Sequence, residues 1–183
     1  MFKKSVYAVL VLMLLLVVGC GEDKKMSQED AGLVYGAAFN AAGTALGQIQ
    51  SGIATSGGNA KLVADEGSFT YDPETGSFSG TVQSAEGGMA NITGEYTVSE
   101  DQTTMNYKFD LDFIDWVSTG ITLNGIISIV YEMSGANFSW NMTGDLNASG
   151  KVSGDVNFDI TVNSDGTYEG TVGGYEMGGN YNE

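Results

Sequence analysis

Between residues 28 and 53 the apolar positions recur every three or four residues, at Ala31, Val34, Tyr35, Ala38, Ala42, Leu46, Ile49 and Ile53. This is the spacing of one helix face, and it predicts an amphipathic helix over residues 28–50, about 35 Å long at about 1.5 Å per residue. Ser27 stands just before it with Asp30 three residues on. A serine there caps the first turn, and an acidic residue suits the positive end of the helix dipole. Residues 51–59, with Gly52, Gly57 and Gly58, predict the helix end and a loop.

From about residue 60 the period changes to two. The clearest run is Met105, Tyr107, Phe109, Leu111 and Phe113, alternating with Thr104, Asn106, Lys108, Asp110 and Asp112. One face of such a strand is apolar and the other wet. The same alternation passes through Phe69 and Tyr71; Phe78 and Val82; Ile92, Tyr96 and Val98; Ile121, Leu123, Ile127, Ile129 and Tyr131; Phe138, Trp140 and Met142; Val152, Val156, Phe158, Ile160 and Val162; and Tyr168 and Val172. Turn residues separate the runs at Asp72-Pro73-Glu74-Thr75-Gly76, Glu86-Gly87-Gly88, residues 99–102, Ser134-Gly135, residues 147–150 and Asn163-Ser164-Asp165-Gly166. About eight strands follow one another with no room for helical crossovers, so the sheet is antiparallel and a meander is its simplest topology. The expected fold is α+β, mostly β: an N-terminal amphipathic helix packed on a curved antiparallel meander, half-open or closed like a barrel. A membrane-inserted barrel competes with it but leaves the amphipathic helix without a partner.

Six strands carry a glycine on the apolar parity: Gly80, Gly94, Gly125, Gly144, Gly154 and Gly170. Glycine weakens a strand, so the row signals a geometric need, either sharp coiling of the sheet, close approach of the helix or room for an apolar ligand. The helix has its own small residues, Gly32, Gly36, Gly43 and Gly47. Asn40, Gln48 and Gln50 interrupt its apolar character, which favours close packing on the sheet over association within a membrane.

The N-terminus reads MFKKSVYAVLVLMLLLVVGC, with Lys3 and Lys4 ahead of an apolar run from Val9 to Val18. This is the layout of a secretory signal peptide, and the run is too short to cross about 30 Å of hydrocarbon comfortably. Its end, Leu16-Val17-Val18-Gly19-Cys20, resembles the lipobox of bacterial lipoproteins. The resemblance implies cleavage between Gly19 and Cys20, a diacylglycerol thioether on the Cys20 sulfur and an acyl chain on the new amino group. Cys20 is the only cysteine, so it has no disulfide partner within the chain. Several acyl chains hold a protein on its bilayer without spanning it. Gly21 stands where the family's inner-membrane retention signal places an aspartate, so the resemblance implies the outer membrane. The expected organisation is a signal peptide over residues 1–19, a lipidated cysteine and tether over 20–26 reaching about 20 Å, and one domain over 27–183.

Composition narrows the chemistry. Seven lysines, no arginine and no histidine face 23 acidic residues, a formal net charge of -16. There is no histidine for a Ser-His-Asp triad or an imidazole metal site, and no arginine for a bidentate phosphate clamp. Nucleic acid needs a basic patch, which this composition opposes. Asp110 with Asp112, and Asp155 with Asp159, share polar strand faces, but neither pair follows a calcium-loop pattern, and a solvated sheet face accounts for both. No enzymatic role and no cofactor are expected. Two functions remain: a non-catalytic structural or interaction lipoprotein that meets another envelope protein, or a carrier of an apolar ligand held between helix and sheet. A filled interior favours the first and an apolar cavity lined by the strand glycines the second.

Overall fold

The computed structural model describes residues 26–55, 61–64, 67–101 and 103–180. Helix α1 spans Gln28–Thr55. Ten strands follow: β1 Lys61–Ala64, β2 Gly67–Tyr71, β3 Ser77–Gln83, β4 Met89–Val98, β5 Thr104–Ser118, β6 Ile121–Ser134, β7 Asn137–Gly150, β8 Gly154–Asn163, β9 Thr167–Val172 and β10 Tyr175–Asn180. They form one sheet in sequence order, each strand antiparallel to the next. Among the described residues β1 pairs only with β2 and β10 only with β9, so the meander is open. The expected helix on an antiparallel meander is what forms.

The helix starts as its cap predicts: the Asp30 amide donates to Ser27 Oγ at 3.1 Å. Its buried face is broader than the predicted stripe, because Ala37, Ala41 and Ala45 join Ala31, Val34, Ala38, Ala42 and Ile49 in the core. The helix also runs past residue 50, through Gly52, to Thr55. Gly52 is buried against the Phe69 ring of β2, where any side chain would collide, so packing on the sheet carries the last turn onward. One turn earlier, Gln48 Nε2 donates to the carbonyls of Ser68 at 3.3 Å and Thr81 at 3.1 Å. At its other end the helix meets β8 and β9, with Ala31 beside Gly173 and the Met26 carbonyl accepting from Tyr175 Oη at 2.8 Å.

Two further strands, β1 and β10, extend the eight expected. β10 escapes an alternation reading because Tyr175, Met177 and then Gly178 and Gly179 give it little apolar signal, and pairing with β9 supplies its order. Residues 147–150 are strand rather than turn: β7 runs on to Gly150, and the reversal falls at Lys151–Ser153 with Val152 buried across the sheet end. Alternation in β5 breaks at a bulge between Phe113 and Trp116, which returns Trp116 to the inner face.

The strand glycines face inward, and their missing Cβ atoms would strike the backbone of the neighbouring strand. The obstacle is the carbonyl of Ser68 at Gly80, Lys108 at Gly94, Asp145 at Gly125, Ile126 at Gly144 and Asp159 at Gly170. At these five the close approach is to neighbouring strand backbone, and only Gly154 looks toward the N-terminal segment, at Met26. The helix glycines Gly32, Gly36, Gly43 and Gly47 have nothing within 4 Å of a built Cβ. They therefore do not pack on the sheet as expected; the alanines do.

Candidate functional site: an aromatic groove

Each hairpin fixes the register of two strands, and together the hairpins bring one inward position from successive strands into a single row. Tyr96 lies opposite Tyr107, Tyr107 opposite Tyr131, Tyr131 opposite Trp140, Trp140 opposite Val162 and Val162 opposite Tyr168. The adjacent inward row, running from Phe78 through Phe109, Ile129, Met142 and Ile160, is interrupted by Gly94 and Gly170. The aromatic row from Tyr96 to Tyr168 holds no glycine, so side chains fill it at cross-strand spacing.

Helix α1 places Tyr35 and Phe39, one turn apart, over this row. Phe39 stacks on Trp140 with ring centroids 5.2 Å apart, and Tyr131 meets Trp140 edge-on at 6.2 Å. Phe138 stacks on Tyr131 at 6.0 Å. Between them runs an apolar groove of about 630 Å³, lined by Tyr35, Phe39, Tyr131, Phe138, Trp140, Val162, Tyr168 and Met177. No charged residue lines it. Its size is that of a small-molecule site, which runs roughly 300–1,000 Å³. Phe39 is 37% exposed, an unusual placement for a phenylalanine, and it edges the opening.

Polar atoms around the groove are few. Burial, then the neighbouring Tyr168, pushes the Tyr35 hydroxyl up to about 12, so it stays a neutral phenol at physiological pH. The Trp140 indole nitrogen is buried without a hydrogen-bond acceptor in the protein. The arrangement suits an uncharged, largely hydrocarbon ligand, because a carboxylate or phosphate placed there would be desolvated with no cation to meet it.

None of the six strand glycines lines the groove. Gly80 and Gly170 instead border polar depressions on or beside the outer sheet face. The paired aspartates also lie outward: Asp110 accepts from Ser128 Oγ at 2.6 Å, and Asp155 from Asn147 Nδ2 at 2.9 Å. Among the described residues no three potential metal ligands cluster, and no helix is long and apolar enough to cross a membrane. Gly19 and Cys20 lie outside the described residues. The groove is not legible in the hydrophobic pattern, although the tight turn at Ser134-Gly135 implies that Tyr131 opposes Trp140. No protein-family model, curated protein or solved structure matches the chain.

Proposed function

We propose that this chain is a lipid-anchored lipoprotein of the bacterial outer membrane that holds a neutral apolar ligand, such as an uncharged lipid, in the aromatic groove. The groove of about 630 Å³, walled by aromatic side chains and free of charged ones, carries this reading. Apolar surface left open to water is costly, and a ligand that covers it removes that cost. Anchoring through Cys20, at most six residues before the first described residue, keeps the groove near a bilayer surface from which such a ligand can be taken. No step of bond chemistry is required of any residue, and the reading is of a binding protein rather than an enzyme.

The test is native mass spectrometry of the full chain, expressed with its leader and purified as the cell processes it, followed by organic extraction. The expected result is a stoichiometric neutral lipid, strongly reduced in Phe39→Ser, whose exposed position tolerates a polar residue. A protein recovered empty, or one holding only free fatty acid anions, overturns the reading. The same spectra report the mass added at Cys20, and Cys20→Ser releases the protein from the membrane if the lipid is attached there.

A second reading, docking on another envelope protein, is favoured by an apolar row on the outer face. Met89 lies opposite Ile114, with Ile126 diagonal to it, and these three are 39%, 43% and 52% exposed. Exposed apolar residues in contiguous patches mark contact surfaces. An empty groove together with a partner crosslinked at Ile126 would support this reading over the first.

A further inference from the structure

At the other end of the inner sheet face lies a cleft of opposite character. It has a volume of about 350 Å³ and is lined by Asn40 and Thr44 of α1, Gln83 at the end of β3 with Ser84 to Glu86 after it, and Trp116 and Ser118 of β5. The bulge between Phe113 and Trp116 creates its floor by turning Trp116 inward. Asp115 and Thr119, at φ of 49° and 53°, are the non-glycine residues at positive φ among the described residues, and they flank this short segment. Backbone held in such sparsely populated regions persists only where its surroundings over-determine it, and it collects at functional sites.

Here the surroundings do so. The Asp115 amide donates to Asn124 Oδ1 at 2.9 Å while Asn124 Nδ2 donates back to Asp115 Oδ1 at 3.1 Å. The Glu86 carboxylate accepts from the amides of Thr119 at 2.9 Å and Gly120 at 3.3 Å, and the Val117 amide donates to the Gly87 carbonyl at 2.8 Å. These bonds tie the turn after β3 to the end of β5. Within the segment they hold, Trp116 is 3% exposed, and its indole nitrogen finds no acceptor in the protein.

On the helix side, Thr44 sits one turn after Asn40, and its hydroxyl donates to the Asn40 carbonyl at 3.0 Å. Gly36, Gly43 and Gly47 share this exposed face, with nothing within 4 Å of their built Cβ positions.

We infer that this cleft is a second binding site, for a neutral polyhydroxyl compound, a saccharide. Amides such as Asn40 and Gln83 and the Ser118 hydroxyl both donate and accept, and the Thr44 oxygen still accepts, which matches vicinal hydroxyl groups. Glu86 adds an acceptor, and Trp116 lies buried beneath as part of the lining. No lysine lines the cleft, so an anionic ligand gains nothing there, and the polar walls give an apolar ligand no advantage over the aromatic groove. The inference is independent of what the aromatic groove holds.

The chain has two tryptophans, and one lies in each site. Nitrogen-labelled full chain, expressed with its leader and held in lipid nanodiscs, therefore shows two indole resonances, assigned with Trp116→Phe and Trp140→Phe. Titration with maltose, cellobiose and di-N-acetylchitobiose is expected to move the Trp116 indole resonance saturably and leave that of Trp140 in place. Replacing both exposed amides, Asn40→Ala with Gln83→Ala, should weaken the apparent affinity roughly tenfold, as the loss of two hydrogen bonds implies, while the unchanged Trp140 resonance reports an intact fold. A Trp116 resonance that stays fixed with all three sugars overturns the inference. So does an equal response in the double variant, or a response to glucuronate that exceeds the response to the neutral sugars.

Discussion

Tyr35 reaches the aromatic groove from the helix, and burial followed by the nearby Tyr168 pushes its hydroxyl up to about 12. Burial likewise pushes Tyr107 to about 12, with Tyr96 and Tyr131 beside it adding to the shift. An unfolded tyrosine ionises near 10. The unfolded chain therefore loses these protons first, and the stability tied to the neutral phenols is complete below about pH 10 and lost as pH rises toward about 12. Denaturant midpoints should fall across that interval, and Tyr35→Phe should fall less steeply than the parent. An equal slope in both would show that Tyr35 ionises alike in the folded and unfolded chains. The turn aspartates act in the other direction: hydrogen bonds from Glu74 and Thr75, from Ser99 and Thr103, and from Thr167 hold Asp72, Asp101 and Asp165 below the usual carboxylate range. Such residues are legible from sequence because an aspartate that caps its own turn needs only neighbours two or three positions away. The Tyr35 shift is not, since it depends first on burial of the helix against the sheet and then on Tyr168, far along the chain.

Among the elements, the glycines fall into two physical classes that look alike in the chain. Gly43 sits in the middle of α1 on its exposed face with nothing near a built Cβ. Gly43→Ala should stabilise the fold by about 0.5–1 kcal/mol, the helix propensity gained. Gly125 sits in β6 at a φ of 119°, where an added Cβ would lie 2.5 Å from the Asp145 carbonyl oxygen. Gly125→Ala should destabilise by about 1–3 kcal/mol, combining backbone strain with collision against β7. Chemical denaturation of the two variants checks the pair, and the same sign for both would contradict the close approach of β7 to Gly125. The helix and eight of the strands are readable because their periods are carried by near neighbours. The last turn of α1 is not, since Gly52 reads locally as a stop and only the Phe69 ring packed against it shows why the helix continues. The bulge in β5 is equally hidden, its sole local trace being a large apolar residue, Trp116, on the wrong parity.

Over the whole molecule a formal net charge of -16 opposes compactness through self-repulsion. Raising sodium chloride from about 10 to about 150 mM shortens the screening length from about 30 Å to about 8 Å, so the melting temperature should rise over that range. Calcium chloride at matched ionic strength should add nothing further, because among the described residues no three carboxylates stand close enough to share an ion. A calcium-specific rise would point to a site these residues do not reveal. The α+β class, the order of helix and meander, the capped helix start, most turns and the inward parity of the strands are all legible along the chain. Each of these depends on interactions among residues a few positions apart, so the information is local. The chain also carries the lipobox resemblance, a short contiguous motif. Tertiary structure alone decided that the strand glycines accommodate neighbouring backbone, that the helix glycines face away from the sheet, and that five aromatic residues from five strands line up beside Tyr35 and Phe39. Those outcomes depend on register summed over successive hairpins and on where the helix crosses the sheet, so no single stretch of sequence contains them.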